Sequence, residues 1–255
     1  MSLNIERIAA FSDNYFWLFH QPGSTRAYVV DPGDAAPVEA ALSAHHLTLE
    51  GVLVTHHHPD HIGGIRDLQR DRQIPVYGPG SITEVTHPVS DHDHLIIEDT
   101  TFEVITVPGH TLDHIAFFVP DEPLVFCGDT LFAGGCGRLF EGSPKQMWQS
   151  LKKLRELPPS TRIYCAHEYT QANLRFAQAV EPDNSALAHR AEQVERLRRS
   201  NQATVPSTLA EEMATNPFMR PDQDTVKQAA EAREGHSISE VDEIFRVIRQ
   251  WKDTF

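Results

Sequence analysis

Thr55-His56-His57-His58-Pro59-Asp60-His61 follows directly on the apolar run Gly51-Val52-Leu53-Val54. Side chains alternate along an extended segment, so His56 and His58 project to the same side. Pro59 then helps the chain turn and brings Asp60 and His61 into the same neighbourhood. Imidazole nitrogens and carboxylate oxygens are donors that zinc, iron and manganese accept. Four of them within six residues can serve two adjacent ions. A histidine run is also common as a surface tract, so the metal reading depends on what the rest of the chain supplies.

Three further segments repeat the arrangement. Phe102-Glu103-Val104-Ile105-Thr106-Val107-Pro108-Gly109 ends in His110, Leu124-Val125-Phe126-Cys127-Gly128 in Asp129, and Arg162-Ile163-Tyr164-Cys165-Ala166 in His167. Each is an apolar strand that delivers a metal-capable residue at its carboxyl end. A single histidine after a strand is ordinarily a loop residue. Three such endings together with the tight cluster are improbable by accident. Strand ends converging on one sheet edge would gather His56, His58, Asp60, His61, His110, Asp129 and His167. Gly109, Gly128 and Ala166 precede three of them and allow close backbone approach.

Outward from these motifs, the first two-thirds of the chain alternates strands and helices. Strands are predicted at 5–11, 15–19, 27–30, 51–55, 94–97, 101–107, 115–119, 124–127 and 162–165, in runs rich in Val, Ile and Phe. Helices are predicted at 37–46, 63–70 and 143–157, the last opened by Ser143 as N-cap and Pro144 at the first helical position. This order implies sheets covered by helices, an α+β fold. From about Thr170 the pattern is helical, at 173–180, 185–201, 207–214, 224–232 and 237–252, with no strand among them. Ser237-x-x-Glu240 reads as a capping box for the last helix, whose Val241, Ile244, Phe245, Ile248 and Trp251 recur at helical spacing. The chain therefore divides into a catalytic domain at 1–168 and an all-helical domain at 169–255.

The 255 residues carry a formal net charge of −14. That weighs against a nucleic-acid binder, which needs clustered cations, but not against a small anionic substrate in a local basic pocket. Cys127, Cys136 and Cys165 form no C-x-x-C pair, and an odd count leaves one unpaired, as expected in a reducing compartment. The first 19 residues lack the basic and apolar regions of a signal peptide, and no apolar run approaches the ~20 residues that span a bilayer. The expectation is a soluble cytoplasmic monomer with neither a nucleic-acid nor a membrane partner.

The ordered set His56-x-His58-x-Asp60-His61, His110, Asp129 and His167 resembles the metallo-β-lactamase superfamily over residues 1 to about 168. The resemblance implies an αββα sandwich with metals at one edge of its sheets. It implies one ion on His56, His58 and His110, a second on Asp60, His61 and His167, and Asp129 bridging them. The pair would most simply be Zn2+, with iron or manganese as alternatives. Classical β-lactamases of this fold place a cysteine or another residue at the bridging position, whereas here it is Asp129 in a Gly-Asp-Thr context.

Further segments are similar to the glyoxalase II (hydroxyacylglutathione hydrolase) family, bacterial type. They are Cys127-Gly128-Asp129-Thr130-Leu131-Phe132, the run from Gly134 through Gly135-Cys136-Gly137-Arg138-Leu139-Phe140-Glu141 to Gly142, Ala166-His167-Glu168-Tyr169-Thr170, Asn216-Pro217-Phe218-Met219-Arg220, and Arg249-x-x-Lys252-Asp253-x-Phe255. This resemblance implies hydrolysis of S-D-lactoylglutathione and related 2-hydroxyacylglutathiones, as in methylglyoxal detoxification, by a metal-bridging hydroxide with Asp60 and Asp129 at the reacting centre. It also implies that Arg138, Tyr169, Arg249 and Lys252 hold the glutathione portion. Arg249 and Lys252, three apart on the last helix, share a face. Arg138 stands where many members have Lys, and Phe140 where many have Tyr, which removes one hydroxyl contact. Asp113 stands where Gly is frequent. His57 and His114 are expected to support the site or the fold, and Cys136 to pack within its loop. A different chemistry on the same signature, a mononuclear-iron glutathione persulfide dioxygenase, is disfavoured by the Arg249-x-x-Lys252 ending.

Overall fold

A computed structural model describes residues 2–255. Contacts divide the chain into two compact units, Met1–Thr106 with Asp113–Gly128 and Val107–Leu112 with Asp129–Phe255.

In the first unit the aromatic and β-branched runs form β1 (Asn4–Ala10), β2 (Asn14–His20) and β3 (Arg26–Val30), followed by α1 (Ala35–His45), β4 (Thr48–Leu53), α2 (Pro59–Ile62), α3 (Ile65–Gln69), β5 (Val76–Gly78) and β6 (His87–Pro88). Six strands make one sheet in the order β1-β2-β3-β4-β5-β6. It is antiparallel from β1 to β3 and parallel from β3 to β6. β7 (His94–Ile97), β8 (Thr100–Thr106), β9 (Ile115–Val119) and β10 (Leu124–Gly128) follow as an antiparallel meander. Phe19 of β2 lies 5.2 Å from Phe102 of β8 and 5.7 Å from Phe126 of β10, ring to ring, so aromatic side chains fill the space between the two sheets. On the other face of the first sheet, Val38 and Leu42 of α1 and Ile65 and Leu68 of α3 pack with Phe16, Leu18, Val29 and Val52. These side chains are almost wholly removed from water, worth about 1.5–3 kcal/mol each for the larger ones.

The second unit contains β11 (Leu131–Phe132) and β12 (Gly135–Cys136), a short hairpin, then α4 (Pro144–Arg155), β13 (Arg162–Cys165), α5 (Thr170–Val180), α6 (Ser185–Arg199), β14 (Ser207–Thr208), α7 (Leu209–Thr215), a 3-10 turn Pro217–Met219, α8 (Asp224–Glu234) and α9 (Val241–Asp253). Ser143 caps α4 in a reciprocal capping box with Gln146. On α9 the buried residues are Ile244, Phe245, Val247, Ile248 and Arg249, an apolar stripe that includes one cation.

Three expectations need correction. The sequence 237–240 is not the start of the last helix: α9 begins at Val241, and Glu240 at the N-cap makes no side-chain cap bond. The backbone N–H of Ile238 is instead taken by Glu231 Oε1 (2.9 Å), which holds the segment extended. The helical region does contain a strand, β14, because Ser207 and Thr208 pair with Ile163 and Arg162; two residues are too few to leave a periodic signal. The helix predicted at 63–70 is only the short α3, Ile65–Gln69, preceded by a separate single turn, α2, at Pro59–Ile62. Their junction at Gly63-Gly64 lies against the backbone of residues 32–35, where a Cβ on either glycine would sit 2.6 Å from backbone atoms. Among the described residues no helix is long and apolar enough to cross a membrane.

Candidate metal centre

In the first unit the donors sit beyond the carboxyl ends of the parallel strands β3 and β4. Asp31 follows β3, accepts the Thr55 backbone N–H on Oδ1 (2.7 Å) and takes the Thr55 hydroxyl on Oδ2 (2.7 Å). The same Oδ2 lies 3.0 Å from His61 Nδ1. Thr55 Oγ1, having donated to Asp31, accepts from His56 Nδ1 at 3.1 Å. Both rings thus place their proton on Nδ1 and their lone pair on Nε2, an assignment made from the hydrogen-bond network. Donor atoms of Asp31, His56 and His61 fall within 4.8 Å of one another, which by distance alone would make Asp31 a ligand. Its oxygens instead serve the Thr55 N–H and hydroxyl and the Nδ1 edge of His61, so it is an orienting carboxylate. It is buried and holds a left-handed backbone, φ +53°, that Asp tolerates better than most residues.

His56 Nε2 lies 3.1 Å from His58 Nδ1. Two nitrogens each about 2.0–2.1 Å from one tetrahedral ion would be about 3.3 Å apart. Asp60 and His61 follow on α2, where Pro59 occupies the first helical position. Asp60 Oδ2 lies 3.4 Å from His61 Nε2 and accepts from Asn14 Nδ2 at 2.9 Å. His114 stacks on His56 with ring centroids 4.5 Å apart. Beneath them Gly128, φ +48°, leaves no room for a Cβ, which would sit 2.3 Å from Thr55 Oγ1. His57 points elsewhere: its Nδ1 is 3.0 Å from both oxygens of Asp113, which also accepts from Ser81 Oγ.

In the second unit Asp129 presents one oxygen to each of two histidines, Oδ2 at 3.3 Å from His110 Nε2 and Oδ1 at 3.4 Å from His167 Nε2. All three residues are buried. His110 Nδ1 donates to the Arg138 carbonyl at 2.7 Å, which again leaves the lone pair on Nε2. The segment around His110 is laced to residues 140–142 by Phe140 N–H to His110 O (3.2 Å) and Gly142 N–H to Gly109 O (3.0 Å). The His167 ring lies flat against Tyr169, with centroids 4.7 Å apart and planes 5° from parallel. The spacings 3.1, 3.3, 3.4 and 3.4 Å, in four donor pairs, match edges of metal coordination polyhedra. These His and Asp groups fit a divalent metal ion.

The cations expected to meet substrate all lie in the second unit. The Arg138 side chain is 65% exposed, with Nε 3.9 Å from Asp253 Oδ1 and its guanidinium over the Phe140 ring. Lys252 lies over Phe176 and Phe255, and burial, then the charges of Arg249 and Arg175, hold its pKa below the ordinary lysine value. Arg249 is the exception in being buried. It donates through Nη1 to the Cys136 carbonyl (3.0 Å) and through Nη2 to Asp253 (3.1 Å), and stands over the Phe218 ring at 4.8 Å. Cys136 packs fully buried within its loop.

Sequence reasoning missed Asp31, Asn14 and Thr55. For Asp31 the signal was present: Tyr28-Val29-Val30 is another apolar strand ending in a carboxylate. Asn14 left none, because an amide at a strand start has many ordinary uses.

Two family descriptions match the chain, the metallo-beta-lactamase superfamily over residues 12–87 and 77–167, and the hydroxyacylglutathione hydrolase C-terminus over residues 168–255. A hydroxyacylglutathione hydrolase of Pseudomonas aeruginosa (strain PAO1) is 50% identical over 257 residues, covering 99% of this chain and 100% of its own. The crystal structure of ETHE1 from Myxococcus xanthus shares the fold at a TM-score of 0.68 and 22% identity, over 98% of this chain and 91% of its own. TTHA1623, solved in a di-iron-bound form, is 29% identical with a TM-score of 0.53, over 60% of this chain and 87% of its own. With the metallo-β-lactamase fold at its donors and the hydrolase C-terminal segment after it, the chain belongs to the hydroxyacylglutathione hydrolase family.

Proposed function

We propose that this chain hydrolyses S-D-lactoylglutathione and related 2-hydroxyacylglutathiones to the hydroxy acid and glutathione, using two divalent metal ions. The observation that carries the reading is Asp129, whose two oxygens each face a different histidine, as a carboxylate bridging two ions would. His56, His58 and His110 would hold one ion, and Asp60, His61 and His167 the other, most simply both Zn2+, since N and O donors suit zinc, iron and manganese alike. When bound, such ions bring the pKa of a coordinated water toward about 7 and polarise a carbonyl oxygen.

The protein's own groups do the rest. Asp31 and the Arg138 carbonyl fix the tautomers of His56, His61 and His110, and Asn14 orients the Asp60 carboxylate through a bond to Oδ2. Glutathione carries two carboxylates, which an acidic protein can hold only with a local cationic patch. Arg138, Tyr169, Arg249 and Lys252 supply it: Arg138 and Tyr169 from the surface, Lys252 half-buried, and Arg249 as charge from beneath. The thiolate is a good leaving group, so no strong general acid is needed. We read residues 1–168 as the catalytic domain and 169–255 as the glutathione-holding domain of a cytoplasmic monomer. Three free cysteines, all buried, suit a reducing compartment, and every proposed ligand comes from one chain. The match of 168–255 to the hydrolase C-terminus favours hydrolysis over persulfide oxidation.

The test is loss of thioester absorbance from S-D-lactoylglutathione, with metal content measured on the same preparation. Rapid hydrolysis at close to two ions per chain is expected. No hydrolysis from a doubly loaded preparation, with oxygen uptake on glutathione persulfide, would replace this reading by the dioxygenase one.

A further inference from the structure

We infer that Arg249 is a positioning residue for the metal ligand His110, acting through the backbone of residues 136–138. This rests on the reading of His110 as a ligand. An arginine only 6% exposed is costly unless its charge and hydrogens are met inside the protein. Arg249 meets them with the Cys136 carbonyl, the Asp253 carboxylate and the face of Phe218. Its Nε is buried with no hydrogen-bond partner among the described residues. Both terminal nitrogens of the guanidinium are therefore engaged with the protein's own groups, one of them on the backbone of the loop that leads to Arg138.

The Cys136 carbonyl is two residues from the Arg138 carbonyl, and the latter sets the tautomer and direction of His110. The rest of the loop is fixed just as firmly. Asn216 Nδ2 donates to the Gly135 carbonyl (2.9 Å), Glu212 Oε2 accepts the Gly134 N–H (2.8 Å), and Asn173 Nδ2 reaches the Ala133 carbonyl (3.2 Å). Glu212 is itself wholly buried and paired with Arg190. The helical segment thus clamps 133–136 from three helices or turns, and Arg249 holds the last link before the carbonyl that orients His110. Asp253 ties the same guanidinium to the side chain of Arg138, so the brace and the substrate-facing cation share one carboxylate.

The test compares Arg249→Met, Arg249→Lys and Arg138→Met. Zinc affinity is measured by chelator competition, and kcat and KM with S-D-lactoylglutathione and with a lactoyl thioester lacking glutathione. Arg249→Met is expected to weaken zinc binding on the order of 10-fold, the usual loss when an outer partner of a ligand is removed, and to lower kcat on both thioesters. Arg249→Lys, still able to donate to the Cys136 carbonyl, should recover most of the zinc affinity. Arg138→Met keeps its backbone carbonyl, so it should raise KM for the glutathione thioester with zinc affinity unchanged. Wild-type zinc affinity in Arg249→Met, with only KM for the glutathione thioester raised, would overturn the inference. Should Arg249→Met not fold, Asp253→Asn decides: a smaller loss of zinc affinity supports the brace, and none overturns it. If the wild type cleaves neither thioester, the functional reading fails while the zinc measurements still judge the brace.

Discussion

The two sets of donors are oriented by different physics. In the first unit one buried carboxylate, Asp31, holds His61 directly and His56 through Thr55, all within 31 residues of chain and at the ends of adjacent parallel strands. In the second unit His110 is held by a neutral backbone carbonyl, whose position depends on a loop fixed by residues from 173 to 249. A charge-assisted bond is roughly twice as strong as a neutral one and needs only its own neighbourhood. A carbonyl is weaker and is only as steady as the loop that carries it. The contrast gives the C-terminal helices a structural task as well: their side chains secure the loop whose carbonyl holds His110.

The largest effect that could break this contrast is expected at Asp31. Asp31→Ala removes the orienting group of two proposed ligands at once, so metal affinity by chelator competition should fall by about 100-fold or more, given 10–100-fold for each such partner. A loss no greater than that of Arg249→Met would put the two systems on an equal footing. Next is Asn216→Ala, which strips the Gly135 and Phe132 carbonyls and the Phe218 N–H of their partner. Leaving such groups buried and unsatisfied costs about 1–3 kcal/mol each at most. Denaturant unfolding should show a loss of a few kcal/mol, and metal affinity should fall with it; a loss of stability alone would uncouple clamp from ligand. The smallest effect concerns Lys252. Its pKa is lowered in the fold by burial and by Arg249 and Arg175, so its charge is lost at a pH below the ordinary value of about 10.4. Between the folded and unfolded pKa the unfolded chain binds more protons, so this group's contribution to stability rises with pH across that window. Substrate binding runs the other way: KM for the glutathione thioester should climb as the pH passes the folded pKa, and Lys252→Met should flatten that climb.

Legibility divides along the same line. The seven donors stood out because each ends an apolar strand or lies in one six-residue cluster, and a strand ending is a local property. The strands at 94–97, 115–119 and 162–165 and the Ser143 cap were equally local. Ser237 and Glu240 had the right spacing for a capping box, yet the helix begins after them because Glu231 takes the Ile238 N–H from outside the segment. β14 was invisible for a like reason, since two residues become a strand only by pairing with β13.

By itself the sequence determined the candidate donors, the order of most strands and helices, and the cationic residues near the C-terminus, because periodicity, strand ends and charge are written in consecutive residues. Only the tertiary structure decided what holds those groups: that Asp31 orients two histidines, that Arg249 faces inward, and that Asn216 and Glu212 secure a loop some 80 residues earlier. Hydrogen-bond partners are chosen by proximity in space, and a buried polar group takes whichever partner the fold brings within reach, however far away it lies in the chain.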